Sequence, residues 1–179
     1  MQLKPHQQTA FWLIVSAALL TSLIPGGPIE NRDFSHIHPG ILGAFNVFLT
    51  TLDLGSFVLA YFAFKRRPWA LKAAFVAAIS YFAVYAVDLG QLFPRSPTPM
   101  SFALALIEVI GMTAAVPLMF ASRKALENIG ASNVSHVNGN VWFATATLLV
   151  VVGIAIVWFA TDAAMTGGGV DVSAMFMTP

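Results

Sequence analysis

Residues 40–64 read GILGAFNVFLTTLDLGSFVLAYFAF, with a single charge, Asp53, before Lys65, Arg66, Arg67 and Pro68 close the run. At 1.5 Å per residue a helix through them rises about 37 Å, more than the roughly 30 Å of a bilayer's hydrocarbon core. An apolar stretch of that length ending on a knot of cations reads as a membrane span whose far end faces the cytoplasm. Working outward, residues 68–93, 99–122 and 141–161 repeat the pattern, each bounded by the Gly, Pro or charged residues that punctuate helix ends. Residues 9–25 have only the length of a signal-peptide core, but no small-x-small cleavage site precedes Pro25-Gly26-Gly27, so they are read as an uncleaved helix. The expected fold is an all-α integral membrane protein, a single domain built as a bundle of five transmembrane helices over 9–25, 40–64, 68–93, 99–122 and 141–161.

Composition agrees. The chain has 179 residues, 58% of them hydrophobic, only 9% charged and none cysteine, with a mean hydropathy of +0.77. A soluble domain carries about 25% charged residues, so a soluble monomer is excluded, as are a disordered chain and a disulfide scaffold. A net charge of +1 leaves no cation excess for gripping nucleic acid. The expected partner is the lipid bilayer.

Of the nine cations, Lys4, Lys65, Arg66, Arg67, Lys72, Arg123 and Lys124 fall on one side if the helices alternate, and Arg32 and Arg95 on the other. The positive-inside rule then puts the N-terminus in the cytoplasm and the C-terminus outside, in a bacterial inner (plasma) membrane. Trp12, Trp69 and Trp142 begin helices at the same inner boundary, as an aromatic belt would. Ala70, Ala74 and Ala78 on the third span, and Gly111 and Ala115 on the fourth, place small residues every fourth position, a spacing that lets helices approach closely. Pro117 is expected to bend the fourth span.

Three carboxyls, Asp53, Asp88 and Glu108, lie inside spans. Counted from the outer ends they come about 20, 8 and 14 Å deep, respectively. Asn46, Thr50 and Asp53 share one face of their helix at i, i+4, i+7, and Tyr81, Tyr85 and Asp88 do the same on the next. Ionisable groups at membrane depth are costly and usually face a bundle interior or a cavity. These seven residues (Asp53, Asp88, Glu108, Asn46, Thr50, Tyr81 and Tyr85) predict an outward-opening polar cavity that binds or conducts a small solute, a cation or a proton. The competing account is that they hold helices together, with carboxyls paired to Arg32 or Arg95. The echo of Asp-Leu-Gly at 53–55 and 88–90 is read as coincidence, since five spans do not divide into two inverted halves.

The outer loop 25–39 holds Glu30, Asn31, Arg32, Asp33, Ser35, His36 and His38. If that loop is extended, His36 and His38 point the same way and suit copper or zinc, with Glu30 or Asp33 completing the set. Met165, Met175 and Met177 offer thioethers on the same side. Elsewhere no cofactor is expected: spans without histidine cannot hold a haem between paired imidazoles. Nor is there a thiolate, a Walker loop or a His-Glu-x-x-His motif. Pro94, Pro97 and Pro99 make the next outer loop a stiff strap, and Gly130 is the expected C-cap of the fourth helix. The sequon at Asn133 falls on the cytoplasmic side and is set aside. A second reading makes the chain a non-catalytic accessory subunit of a respiratory, photosynthetic or oxygenase complex, and a third a metal-dependent membrane enzyme. A chain this short is expected to work as a homo-oligomer or with partner membrane subunits.

Overall fold

A computed structural model describes residues 3–128 and 139–166, with side chains in the second stretch from Thr147 onward. Five helices follow in order: α1 (Pro5–Thr21), α2 (Pro39–Phe64), α3 (Pro68–Leu89), α4 (Phe102–Glu127) and α5 (Gly139–Met165). Among the described residues there is no strand. α2, α3, α4 and the Thr147–Met165 part of α5 are long and apolar enough to cross a membrane. The fold is therefore an all-helical one of membrane type.

The first three helices begin on Pro5, Pro39 and Pro68, where a fixed φ suits the first turn and the missing N–H is no loss. α4 is capped by Ser101, whose hydroxyl accepts the Leu104 N–H at 3.1 Å. The outer ends differ from expectation by a few residues, because local capping stops a helix before hydropathy does. α3 ends at Leu89 with Gly90 as its cap, and α4 starts at Phe102, three positions after Pro99. α4 continues through Pro117 and ends on Asn128. Gly130, Asn133, Met175 and Met177 lie outside the described residues.

α1 to α4 pack as a ring in chain order, α4 closing back on α1, while α5 lies outside and packs on α2. The small-residue stripe does what its spacing implies: Ala70, Ala74, Ala78 and Ala115 are wholly buried. Phe48, Phe57, Val76, Phe120 and Trp158 face outward, as side chains in contact with lipid do. The Asp-Leu-Gly echo dissolves, since Gly55 sits in mid-helix facing open space while Gly90 caps α3.

α1 is the exception that shapes the molecule. At 17 residues it rises about 25 Å, whereas α2 at 26 residues rises about 39 Å. α1 starts level with the last residue of α2 at the basic end, where the His6 ring meets the Phe64 ring at 6.4 Å. α1 then runs out beside the middle of α2, where the Thr21 hydroxyl donates to Asp53 Oδ2 at 2.9 Å. From there the segment 22–38 takes its place, burying Glu30, Arg32 and Phe34 to about 5% exposure or less. Its backbone is tied down on both sides: the Phe34 N–H donates to the Ala164 carbonyl at 3.1 Å, and Ser96 Oγ donates to the Asp33 carbonyl at 2.8 Å. The proline-rich strap thus clamps the α3–α4 connection to the α1–α2 connection.

A Cβ placed at Gly111 would stand 2.5 Å from carbons of the Tyr85 ring, whereas one at Gly55 would meet nothing within 4 Å. Gly111→Ala is expected to lower stability by about 1–3 kcal/mol, measured by thermal unfolding in detergent micelles, with Gly55→Ala leaving it unchanged or raised.

Candidate functional site

Segment 22–38 carries Arg32 into the outer end of the ring. Its guanidinium meets the Asp88 carboxylate fork to fork, Nη1 to Oδ1 at 2.9 Å and Nη2 to Oδ2 at 2.8 Å. Nε donates to Glu30 Oε1 at 3.0 Å and Oε2 at 3.2 Å, and the Arg32 backbone N–H donates to the same Oε1 at 3.1 Å. The cation also lies 5.2 Å from the Phe34 ring centre. The hydrogen bonds that the guanidinium donates to Asp88 and Glu30 offset the cost of burying its charge. Asp88, in the last turn of α3, is therefore at the rim of the bundle and not a full turn or more inside the span.

Glu108 is 1% exposed and lines the same cavity as Asp88. Counted from the observed start of α4 it lies about 9 Å in, shallower than the sequence depth because α4 begins later. Glu108, Asp88, Tyr85, Asn46, Arg32 and Glu30 line a cavity of about 50 Å³. A second cavity of about 40 Å³ lies beside it, lined by Asp53, Thr50 and Asn46. Leu20, Leu23, Pro25 and Leu49 line both. Asn46 Nδ2 donates to Thr161 Oγ1 of α5 at 3.0 Å.

Among the described residues four buried side-chain oxygens lack a hydrogen-bond partner: Ser16 Oγ, Asp53 Oδ1, Tyr85 OH and Glu108 Oε2. Three of the four belong to the residues singled out from sequence. Tyr81 is the member of that set which stands apart. Its hydroxyl donates to Ser56 Oγ at 2.9 Å, a contact that ties α3 to α2, and it lines neither cavity.

Sequence reasoning treated Arg32 only as a possible partner and Glu30 only as a metal ligand, and it missed Thr21, Ser56 and Thr161. Arg32 carried a usable signal: it is one of only two cations on the outer side, two residues from a glutamate and from a phenylalanine. The hydroxyl partners carried none, because a serine or threonine in a span usually bonds its own helix.

The histidine pair is arranged differently from the extended segment expected. The Asp33 carboxylate accepts the Ser35 N–H at 2.8 Å and the Ile37 N–H closes on the Phe34 carbonyl at 2.9 Å, making a turn. Hydrogen bonds from Ser35, backbone and then side chain, hold the Asp33 pKa below the ordinary carboxylate value. His38 caps α2, its Nδ1 accepting the Gly40 N–H at 3.1 Å, and His36 is exposed. Among the described residues no three His, Asp or Glu side chains converge as a metal-holding group.

Arg32→Ala is expected to lower stability by about 3 kcal/mol, since it strands the buried Glu30 carboxylate and the part-buried Asp88 carboxylate. The triple change Arg32→Met, Glu30→Gln, Asp88→Asn should recover most of that loss in the same thermal unfolding measurement. A single variant as stable as the parent would show that the ion pairs do not hold segment 22–38 in place.

Comparison with curated proteins and with solved structures finds no match. A family match covers residues 5–140, hence all of α1 to α4 and every candidate residue named here except Thr161. Over that stretch the chain belongs to the family described as Domain of unknown function (DUF8051).

Proposed function

We propose that this is a five-span inner-membrane protein, N-terminus in the cytoplasm, that takes up a proton or a small cation at paired carboxyl sites in the outer half of its bundle. The observation that carries the reading is the set of unpartnered oxygens on Asp53, Tyr85 and Glu108, beside two small cavities. A buried polar atom normally has a partner, and a carboxylate without one needs a proton, a cation or water to satisfy it. Size narrows the occupant. Organic ligands occupy pockets of about 300–1,000 Å³, whereas cavities of about 50 and 40 Å³ have room for a few waters, at about 10–15 Å³ each. The larger members of the solute class anticipated from sequence do not fit.

α1 is the span that length alone does not support, and what favours it as a fifth is its companion segment. Helix and loop together run the length of α2, and non-helical backbone is tolerated at membrane depth where protein buries it. With no native cysteine, the topology is open to a direct test. Asn31→Cys should react with a membrane-impermeant maleimide added outside intact cells, and Lys65→Cys only after the membrane is opened; the reverse pattern would overturn the orientation.

Binding is tested by pH- and cation-difference infrared spectroscopy of the protein in lipid. Two carboxyl bands should appear, one missing in Asp53→Asn and the other in Glu108→Gln. A spectrum without either band, under every ion tried, would sink the reading.

A second reading, an accessory subunit of a larger membrane assembly, draws on one feature: an apolar cleft of about 720 Å³ between α2 and α5. Stoichiometric partners retained through purification in mild detergent would favour it.

A further inference from the structure

The two cavities are neighbours that do not merge, and what divides them is specific. The five residues lining both are Leu20, Leu23, Pro25, Asn46 and Leu49. Four of these have side chains with neither donor nor acceptor, so the septum is apolar except at the Asn46 amide. That amide is 4% exposed. On one side of it lies Glu108, with Oε2 unpartnered, and on the other Asp53, with Oδ1 unpartnered.

We propose that the ligand of these sites is the proton and that Asn46 is the gate between them, held shut by Thr161. This rests on the carboxyl sites of the proposed function and adds the species and the route. The proton is favoured over a metal cation on two grounds. Arg32 already fills the position between Glu30 and Asp88 that a cation would take. The inner cavity has Asp53 as its lone carboxyl, with Thr50 and Asn46 as the other polar side chains, whereas calcium takes 6–8 oxygen ligands and sodium-sized ions have similar appetites for oxygen.

The step is a transfer with no other reactant. An O–H bond on the Glu108 carboxyl breaks and one forms on the Asp53 carboxylate, water at the septum carrying the proton and ending unchanged. Glu108 is left anionic and Asp53 neutral, so one positive charge has moved inward. An amide fits the gate because its carbonyl accepts from water and its NH₂ donates to it, whereas leucine does neither. In the described arrangement the NH₂ is turned to Thr161 of α5, away from a bridging role. Among the described residues α5 packs on α2 alone of the helices, so a small movement of α5 that also releases the Phe34 N–H from Ala164 frees the amide without separating α1 to α4.

The test is proton entry into vesicles of phosphatidylethanolamine and phosphatidylglycerol carrying the full chain, with pyranine inside and a potassium diffusion potential set by valinomycin. Asp53→Asn and Glu108→Gln should each lower the flux by about 100-fold, as loss of a proton-transferring side chain does. Asn46→Leu should lower it by about tenfold, what one lost hydrogen bond of ordinary strength is worth, and Thr161→Val should raise it by about threefold or more. Flux that dies in Asp53→Asn but is unchanged in Asn46→Leu and Thr161→Val overturns the gate and leaves the carboxyl sites standing. No flux in the parent or in Thr161→Val overturns the proton as the transported species. If Asn46→Leu does not fold, Thr161→Val decides alone, since it leaves the ring intact and has a signed outcome.

Discussion

The half of this protein opposite its basic end depends on one buried cation, Arg32. Arg32 arrives on irregular backbone, and irregular backbone at membrane depth has to be satisfied within the protein. Segment 22–38 meets that demand through its own turns, with the Gly26 N–H on the Glu30 carbonyl and the Ile37 N–H on the Phe34 carbonyl. Gly26 itself takes a φ of +83, a conformation open to glycine and strained for other residues, and its Cα faces Ala163 so closely that a Cβ would stand 2.7 Å from it. The guanidinium then fixes the segment against α3 through Asp88. Without α1 ending early there would be no room for this loop. Without Arg32 the loop would bring only an acid to a place already acidic.

That constraint explains which parts of the molecule could be read from sequence. Spans are legible because lipid imposes a length and a composition on every one of them, and because all-helical hydrogen bonding is the simplest way to meet both. The close approach of α3 to α4 was legible for a related reason: small residues recurring every fourth position have little other use in a span. Helix ends were less so. Hydropathy carries on through Leu92 and Phe93, but Gly90 stops α3, so the depth of Asp88 was overestimated. Tyr81 and Tyr85 sit one turn apart and look alike in sequence. What separates them is that Ser56 on α2 meets one hydroxyl, whereas the other stands over Gly111 with no partner. Such a difference lives in tertiary contacts and leaves no local mark.

α5 stands in a different relation to the rest. The family match ends at residue 140, where α5 is only beginning, and α5 adds itself to a ring that is already closed. Its contact with α2 is loose along the middle: Gly55 and Gly153 help line the wide cleft between them, and at Gly55 even a Cβ would touch nothing. It is firmer at the outer end, where Asn46 bonds Thr161 and Phe34 bonds the Ala164 carbonyl. A helix held near one end by two hydrogen bonds and open along its length can leave that end once they break, and that end is where the candidate residues lie.

The charges in the outer half also limit what can enter it. One cation, Arg32, faces three carboxyls there, Glu30, Asp88 and Glu108. The arginine is fully engaged with the first two, so the third has no cation of its own. Asp53 deeper in has only a threonine hydroxyl. Adding an anion to this set would place like charges together in a low dielectric, where such repulsion is strongest. Adding a second bulky cation would require displacing Arg32 or enlarging cavities that hold a few waters at most. The sign of the charge and the size of the space therefore point the same way, toward a species no larger than water that carries positive charge. That restriction follows from Arg32 being where it is, so under the proposed function the loop that closes this end of the ring would also select the ligand.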